Sequence, residues 1–268
     1  MSTQKKLALI GFPYDANSSY MKGSALAPPL IRDALHSESS NMWSEMGIDL
    51  GAESVFFDAG DLDFTSTRDA LGDIEGAIAQ LLDRCLLPIS LGGDHAITYP
   101  IIKAFHKKYP RIQILHFDAH PDLYDVYQSN RYSHACPFAR IMEEGFVDRL
   151  VQVGIRTMNG HQREQARKFG VEVVEMKDWR DGIEWTFDGP LYISFDVDVL
   201  DPAFAPGVSH YEPGGLSTRQ AIQTIQRIEA QTIVGADIVE FNPQRDPSGI
   251  TAMACAKILK EIATRMLD

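Results

Sequence analysis

Cysteine is scarce in this chain and forms no pattern. Cys85, Cys136 and Cys255 are odd in number, far apart and outside any Cys-x-x-Cys pair. That argues against a disulfide framework or a zinc ribbon and for a reducing, cytoplasmic setting. Long apolar runs are lacking too: none approaches the ~20 residues that cross a bilayer, so no membrane partner is expected. Lys5, Lys6 and the apolar residues after them mimic a secretory leader, but Pro13, Tyr14 and Asp15 end the run without a small-residue cleavage site, and a first strand explains it better. Positive charge is also in deficit. With 25 Lys+Arg against 37 Asp+Glu the formal net charge is -12, and no basic run or aromatic-interleaved patch is visible, so a nucleic-acid partner is excluded. A small cationic substrate is not opposed by this balance.

What the chain does have is length for a substantial core and a regular alternation of patterns. Its 268 residues suit one domain spanning 1–268. Apolar runs that read as buried strands recur at 7–12, 55–57, 86–91, 112–117, 150–153, 171–174, 191–195 and 232–239. Helical patterns fall between and after them, at 28–35, 67–84, 98–108, 136–144, 160–169, 218–229 and 249–267. Ser217 with Gln220 forms a capping box, Ile74, Ile78, Leu81 and Leu82 make one helical stripe, and Gly170 closes a helix. Such alternation predicts an α/β fold, a mainly parallel sheet of about eight strands covered by helices on both faces. The loop-rich pieces 14–27, 123–133 and 201–215 adjoin the polar strand ends, where ligands sit in such sheets.

Three of the apolar runs end in acids and imidazoles. The run through Ile112, Ile114 and Leu115 passes into Asp118, His120 and Asp122, spaced two apart, which an extended backbone turns to one face. The run 191–195 passes into Asp196 and Asp198, and the run 86–91 passes through Gly92 and Gly93 into Asp94 and His95. Each piece alone is an ordinary turn or cap; together, each after its own buried strand, they read as one metal-binding constellation. His95, Asp118, His120, Asp122, Asp196 and Asp198 carry four carboxylates, and crowding these without cations would drive their pKa values apart. Two divalent ions balance the charge. A pair about 3.5–4 Å apart requires bridging carboxylates, and Asp118 and Asp196, each the first acid beyond its strand, are the candidates. An oxygen-rich set with two imidazoles and no thiolate favours Mn2+, while the ligand types also admit Ni2+, Co2+, Fe2+ or Zn2+. A water between two such ions ionises near neutral pH, so metal-assisted hydrolysis is the expected chemistry.

At this point the chain resembles the ureohydrolases, the family of arginases, agmatinases and related amidinohydrolases. The resemblance is carried by Leu-Gly-Gly-Asp-His at 91–95, His-Phe-Asp-Ala-His-Pro-Asp at 116–122, Ser-Phe-Asp-Val-Asp-Val-Leu-Asp-Pro at 194–202 and Val-Glu-Phe-Asn-Pro at 239–243. It implies a three-layer αβα domain with a binuclear manganese cluster that hydrolyses a guanidino group to urea and an amine. His95 and Asp122 would complete one ion's shell and His120 and Asp198 the other's, with Asp118 and Asp196 bridging. Glu240 would hold the guanidinium through a forked pair of hydrogen bonds, His134 would carry the proton to the leaving amine, and Asp198 would stabilise the tetrahedral species. The resemblance also implies a homo-oligomer, a trimer or hexamer.

Substrate choice is assigned to residues 123–133 and 208–211. Arginases carry an Asn two residues beyond the last Asp of the Asp-x-His-x-Asp motif; here that position is Tyr124. This departure points away from arginine and towards an agmatinase-like enzyme acting on agmatine, with guanidino acids or guanidine next. Pro121, Leu123 and the Ser209, His210, Tyr211 turn differ from agmatinases in turn, and Arg131 offers a partner for a substrate carboxylate. Rival readings are a formimidoylglutamase releasing formamide, a metal-binding regulatory protein without turnover, and a one-zinc deacetylase. Asp94, Asp201 and Asp246 are read as orienting or capping acids, Tyr99, Phe117 and Phe195 as core, and His36, His106, His116, His161 and His210 as lacking a partner pattern.

Overall fold

The computed structural model describes residues 5–52 and 55–268. In chain order the elements are β1 (Leu7–Gly11), α1 (Ala27–Leu35), β2 (Phe56–Asp61), α2 (Ala70–Asp83), β3 (Leu87–Leu91), α3 (Thr98–Lys108), β4 (Gln113–Phe117), α4 (Pro137–Glu143), β5 (Arg149–Ile155), α5 (Gly160–Phe169), β6 (Glu172–Glu175), β7 (Trp185–Asp196), α6 (Thr218–Gln226), β8 (Ile228–Val239) and α7 (Ile250–Leu267). The eight strands form one sheet in the order β2-β1-β3-β8-β7-β4-β5-β6. Every pairing within it is parallel.

Alternation along the strands builds two cores, one on each face. Leu7, Leu9, Leu115, Phe117, Ile193 and Phe195 point to the side covered by α1, α6 and α7. Ala8, Ile10, Ile114 and Tyr192 point to the side covered by α2, α3, α4 and α5. The predicted stripe of α2 is buried at all four positions, and each such side chain contributes roughly 1.5–3 kcal/mol of transfer free energy. The capping box at Ser217 and Gln220 is formed, and Gly170 ends α5 at φ 66, a left-handed conformation that glycine adopts without steric cost.

Several boundaries differ from the sequence reading: β2 runs on to Asp61 and β7 begins at Trp185. Helix α6 stops at Gln226, and Ile228 and Glu229 lie in β8 instead. The cause is the long β7–β8 pair: Trp185 sits opposite Ile228 and Thr186 opposite Glu229, so the apolar Trp185, Phe187 and Ile228 are buried by extended pairing well before the central strand begins. Helix α2 starts at Ala70 rather than at 67, because Asp69 accepts the Gly72 N–H at 3.0 Å and caps it.

Candidate metal centre

The strand order places four neighbouring strands, β3, β8, β7 and β4, at the middle of the sheet. Their carboxyl ends deliver His95, Glu240, Asp196 with Asp198, and Asp118 with His120 and Asp122. Residues distant in the chain thus converge because their strands are adjacent. Gly93 permits the approach beside β3: a Cβ there would lie 1.8 Å from the Tyr14 carbonyl oxygen. Asp122 and Glu240 are held at φ 48 and φ 65. Non-glycine residues in this region carry strain of about 1–3 kcal/mol each, and such strain clusters at working sites.

The hydrogen bonds around His95 fix where its lone pair points. Ser194 Oγ donates to Asp237 Oδ1 at 2.7 Å, so it accepts from His95 Nε2 at 3.0 Å. Nδ1 is therefore the bare nitrogen, and it is a buried atom with no hydrogen-bond partner. Around it lie Asp118 Oδ2 at 3.2 Å, Asp122 Oδ2 at 3.1 Å and Asp196 Oδ2 at 3.1 Å. A lone pair facing three carboxylates is a repulsive arrangement unless a cation or a proton sits among them, and despite burial these acids raise the His95 pKa well above its usual value. On the other side His120 Nδ1 lies 3.0 Å from Asp198 Oδ2 and 3.4 Å from Asp118 Oδ1. Asp118 thus faces both imidazoles, one oxygen each. The donor set fits a pair of hard divalent ions, with two groups of metal-competent side chains sharing Asp118.

The electrostatics follow from burial and crowding. Burial, then Asp198 and Asp118, push Asp196 well above the usual carboxylate range. Burial and Asp118 push Asp122 up as well. Asp118 goes the other way despite its burial, held well down by the imidazoles around it, His116 foremost. Burial with the Glu240 charge raises Asp94 to about 7, and its carboxylate accepts the Asn17 and Ala96 N–H groups.

Glu240 and His134 form a second unit at the cleft. Glu240 Oε1 accepts from the His95 N–H at 2.9 Å and from His134 Nδ1 at 2.8 Å, leaving Oε2 without a partner among the described residues. Oε2 is therefore the Glu240 oxygen open to a ligand. Burial opposes charge on His134, yet the Glu240 carboxylate holds its pKa up at about 9. Ser19 meets the far nitrogen, with Oγ 2.7 Å and N 3.1 Å from Nε2.

A cleft of about 200 Å³ opens above these groups. Its floor holds His120, Asp122, Asp196, Asp198 and Glu240, and its neutral polar rim includes Ser19, Tyr124, Tyr127, Thr157 and Gln162. His210 and His134 also line it, with ring centroids 5.2 Å apart. Tyr211 does not: its hydroxyl donates to Pro206 O at 2.8 Å and its ring packs under Arg245. Arg131 is likewise outside the lining and pairs with Glu143 at 3.2 Å. The capping acids lie elsewhere, Asp201 bonding the Ala203 and Gly214 N–H groups and Asp246 those of Thr251 and Ala252.

Sequence reasoning passed over His116, which lies in the site. Its Nε2 is 2.8 Å from Asp118 Oδ2, and it is fully buried. The signal was the alternation itself, since His116 stands two residues before Asp118 as Ser194 stands two before Asp196. Asp237 had no such signal, because it reaches the site only through Ser194.

A parallel α/β sheet whose central strand ends crowd carboxylates and imidazoles into one buried cluster fits the class of metal-dependent hydrolases. Comparison narrows the class. The family model described as Arginase family matches residues 5–264, and the chain belongs to that family. It is a metal-dependent ureohydrolase, acting on the C–N bonds of linear amidines. Arginase 1, mitochondrial, of Arabidopsis thaliana is 46% identical over 97% of this chain and 80% of its own length. An agmatinase of Bacillus cereus is 33% identical over 97% of this chain and 91% of its own. The solved arginase of Medicago truncatula superposes with a TM-score of 0.94 at 42% identity, covering 99% of this chain and 89% of that one. The family expected from the motifs is the one found, but overall identity leans to arginases where Tyr124 alone had leaned to agmatinase.

Proposed function

We propose that the protein hydrolyses L-arginine to urea and L-ornithine with two Mn2+ held by His95, Asp118, His120, Asp122, Asp196 and Asp198. The observation that carries the metal reading is the buried, bare His95 Nδ1 among three carboxylate oxygens. When bound, a pair of divalent ions supplies a water acidic enough to act as nucleophile at neutral pH.

The chain's own residues do the rest. Glu240 Oε2 accepts from the guanidinium and aims its carbon at the cluster, while Oε1 keeps His134 oriented. His134, whose Nδ1 donates to Glu240 and whose pKa that carboxylate holds up at about 9, is the proton carrier for the leaving amine. Asp198, beside His120 and anchored by the Ala119 N–H at 3.0 Å, faces the cleft where the tetrahedral species forms.

The choice of arginine over agmatine rests on the rim and on the greater identity to the arginase. The rim offers neutral donors and acceptors, and the Glu212 carboxylate lies beside it, 3.9 Å from His120 Nε2. These suit a zwitterionic amino-acid head. Tyr124, which lines the cleft, is held there by Asn159, whose Nδ2 donates to its hydroxyl at 2.5 Å. A guanidino acid steered by Arg131 is disfavoured, because Arg131 lies outside the lining. The test is urea release by Mn2+-loaded protein from L-arginine, agmatine and 3-guanidinopropionate, with Asp196→Ala as blank. L-Arginine should give the highest kcat/KM; urea formation by the blank, or a faster reaction with either rival, overturns the assignment.

A further inference from the structure

His116 is a third imidazole within reach of the cluster, and geometry alone would allow it to bind an ion together with His95 and Asp118. Its neighbours decide otherwise. Gln152 faces it directly across the β4–β5 pair. The Gln152 side-chain amide nitrogen donates to Pro121 O at 2.6 Å and to His116 Nδ1 at 3.0 Å. A carbonyl oxygen can only accept, so the contact with Pro121 identifies that atom as the NH2 group. Its second hydrogen then requires a lone pair on His116 Nδ1. The proton of neutral His116 must lie on Nε2, where it meets Asp118 Oδ2 at 2.8 Å. Phe138 stacks on the ring at 3.9 Å and holds its plane.

We propose that Gln152 is a positioning residue that locks His116 as an Nε2–H donor and so keeps it from ligating the ion beside His95. This rests on the two-ion reading above. Two consequences follow from elementary ligand chemistry. Asp118, which serves both ions, is oriented and partly neutralised by the His116 N–H. The shell beside His95 stays rich in oxygen, which favours a hard ion such as Mn2+ over Zn2+, whose affinity for imidazole nitrogen is greater. Without the Gln152 donor, His116 is free to move its proton to Nδ1 and offer Nε2 to the metal.

The experiment compares wild type, Gln152→Met, His116→Phe and the double variant by equilibrium dialysis against mixed Mn2+ and Zn2+, with metal content read by elemental analysis. Wild type should hold two ions per chain; if it does not, the two-ion reading itself fails. Given two ions, Gln152→Met should shift the Mn2+/Zn2+ ratio towards Zn2+ by roughly 10- to 100-fold, the usual scale for outer partners of metal ligands. The double variant should lose that shift, because the new ligand is His116. A ratio within twofold of wild type in Gln152→Met, or the same shift with Phe at 116, overturns the proposal. Should Gln152→Met fail to fold, the ring nitrogens of wild-type His116 report directly in a 15N-resolved NMR spectrum of the Zn2+-loaded protein. An Nε2–H tautomer supports the lock, and Nδ1–H refutes it.

Discussion

Replacing Glu240 with Gln probes the one residue that joins the cluster, the proton carrier and the substrate. The change is isosteric, but the amide cannot do both jobs of the carboxylate. Its oxygen is claimed by the His95 N–H and His134 Nδ1, at 2.9 and 2.8 Å. The NH2 group then faces the cleft and presents donors to a cationic guanidinium. Loss of one charge-assisted hydrogen bond costs about 1.5–3 kcal/mol, or roughly 10- to 150-fold in kcat/KM. The same change removes the charge that holds His134 up. From 6.5 to about 9, the support of Glu240, with smaller parts from Asp122 and Asp94, amounts to about 3 kcal/mol in order of magnitude. Because the folded-state pKa is raised, this stabilisation is complete below about pH 6.5 and is lost as pH rises through about 9. Steady-state urea assays, together with an NMR titration of His134, read both effects. The variant should show a raised KM, a His134 pKa returned towards 6.5, and no stability loss specific to that pH window. Unchanged kcat/KM with an unshifted His134 would refute the reasoning.

Three further outcomes are expected. Arg140 is buried and holds the loop that carries the cleft residues Tyr124 and Tyr127 by donating to Arg131 O at 3.1 Å and to Asp125 O; Arg140→Met should raise KM several-fold with less effect on kcat, and cost about 3 kcal/mol in denaturant unfolding. Gly93→Ala drives a Cβ against the Tyr14 carbonyl and should destabilise by up to about 3 kcal/mol, read as a lowered Tm with or without metal. Mn2+ at 100 times its Kd should add about 2.7 kcal/mol of stability per bound ion, and chelation should remove it; Asp196→Asn should abolish this gain.

Much of this architecture is written in local pattern. The eight apolar runs became the eight strands, the central ones buried by helices on both faces and the edge strands β2 and β6 left partly exposed, and the acids that follow the central strands converge because the strand order brings β3, β8, β7 and β4 together. That order is not a local property, so no sequence spacing shows that Asp237 reaches His95 through Ser194, or that Asn159 comes to Tyr124. The start of β8 was misread as helix because Ile228 and Glu229 continue a helical pattern that only pairing with Trp185 and Thr186 overrides. His116 was legible, by the same two-residue alternation that located Asp118. Tyr211 and Arg131 were given substrate roles on chemistry alone, and their partners Pro206, Arg245 and Glu143 turn them away from the cleft.

The most direct test of the central claim is a competition. Mn2+-loaded protein is given equimolar L-arginine and agmatine, and the two amines formed, L-ornithine and putrescine, are quantified during the first few per cent of turnover. Ornithine in large excess, with urea in equal amount, is the predicted result; a product dominated by putrescine, or no amine at all, would contradict it.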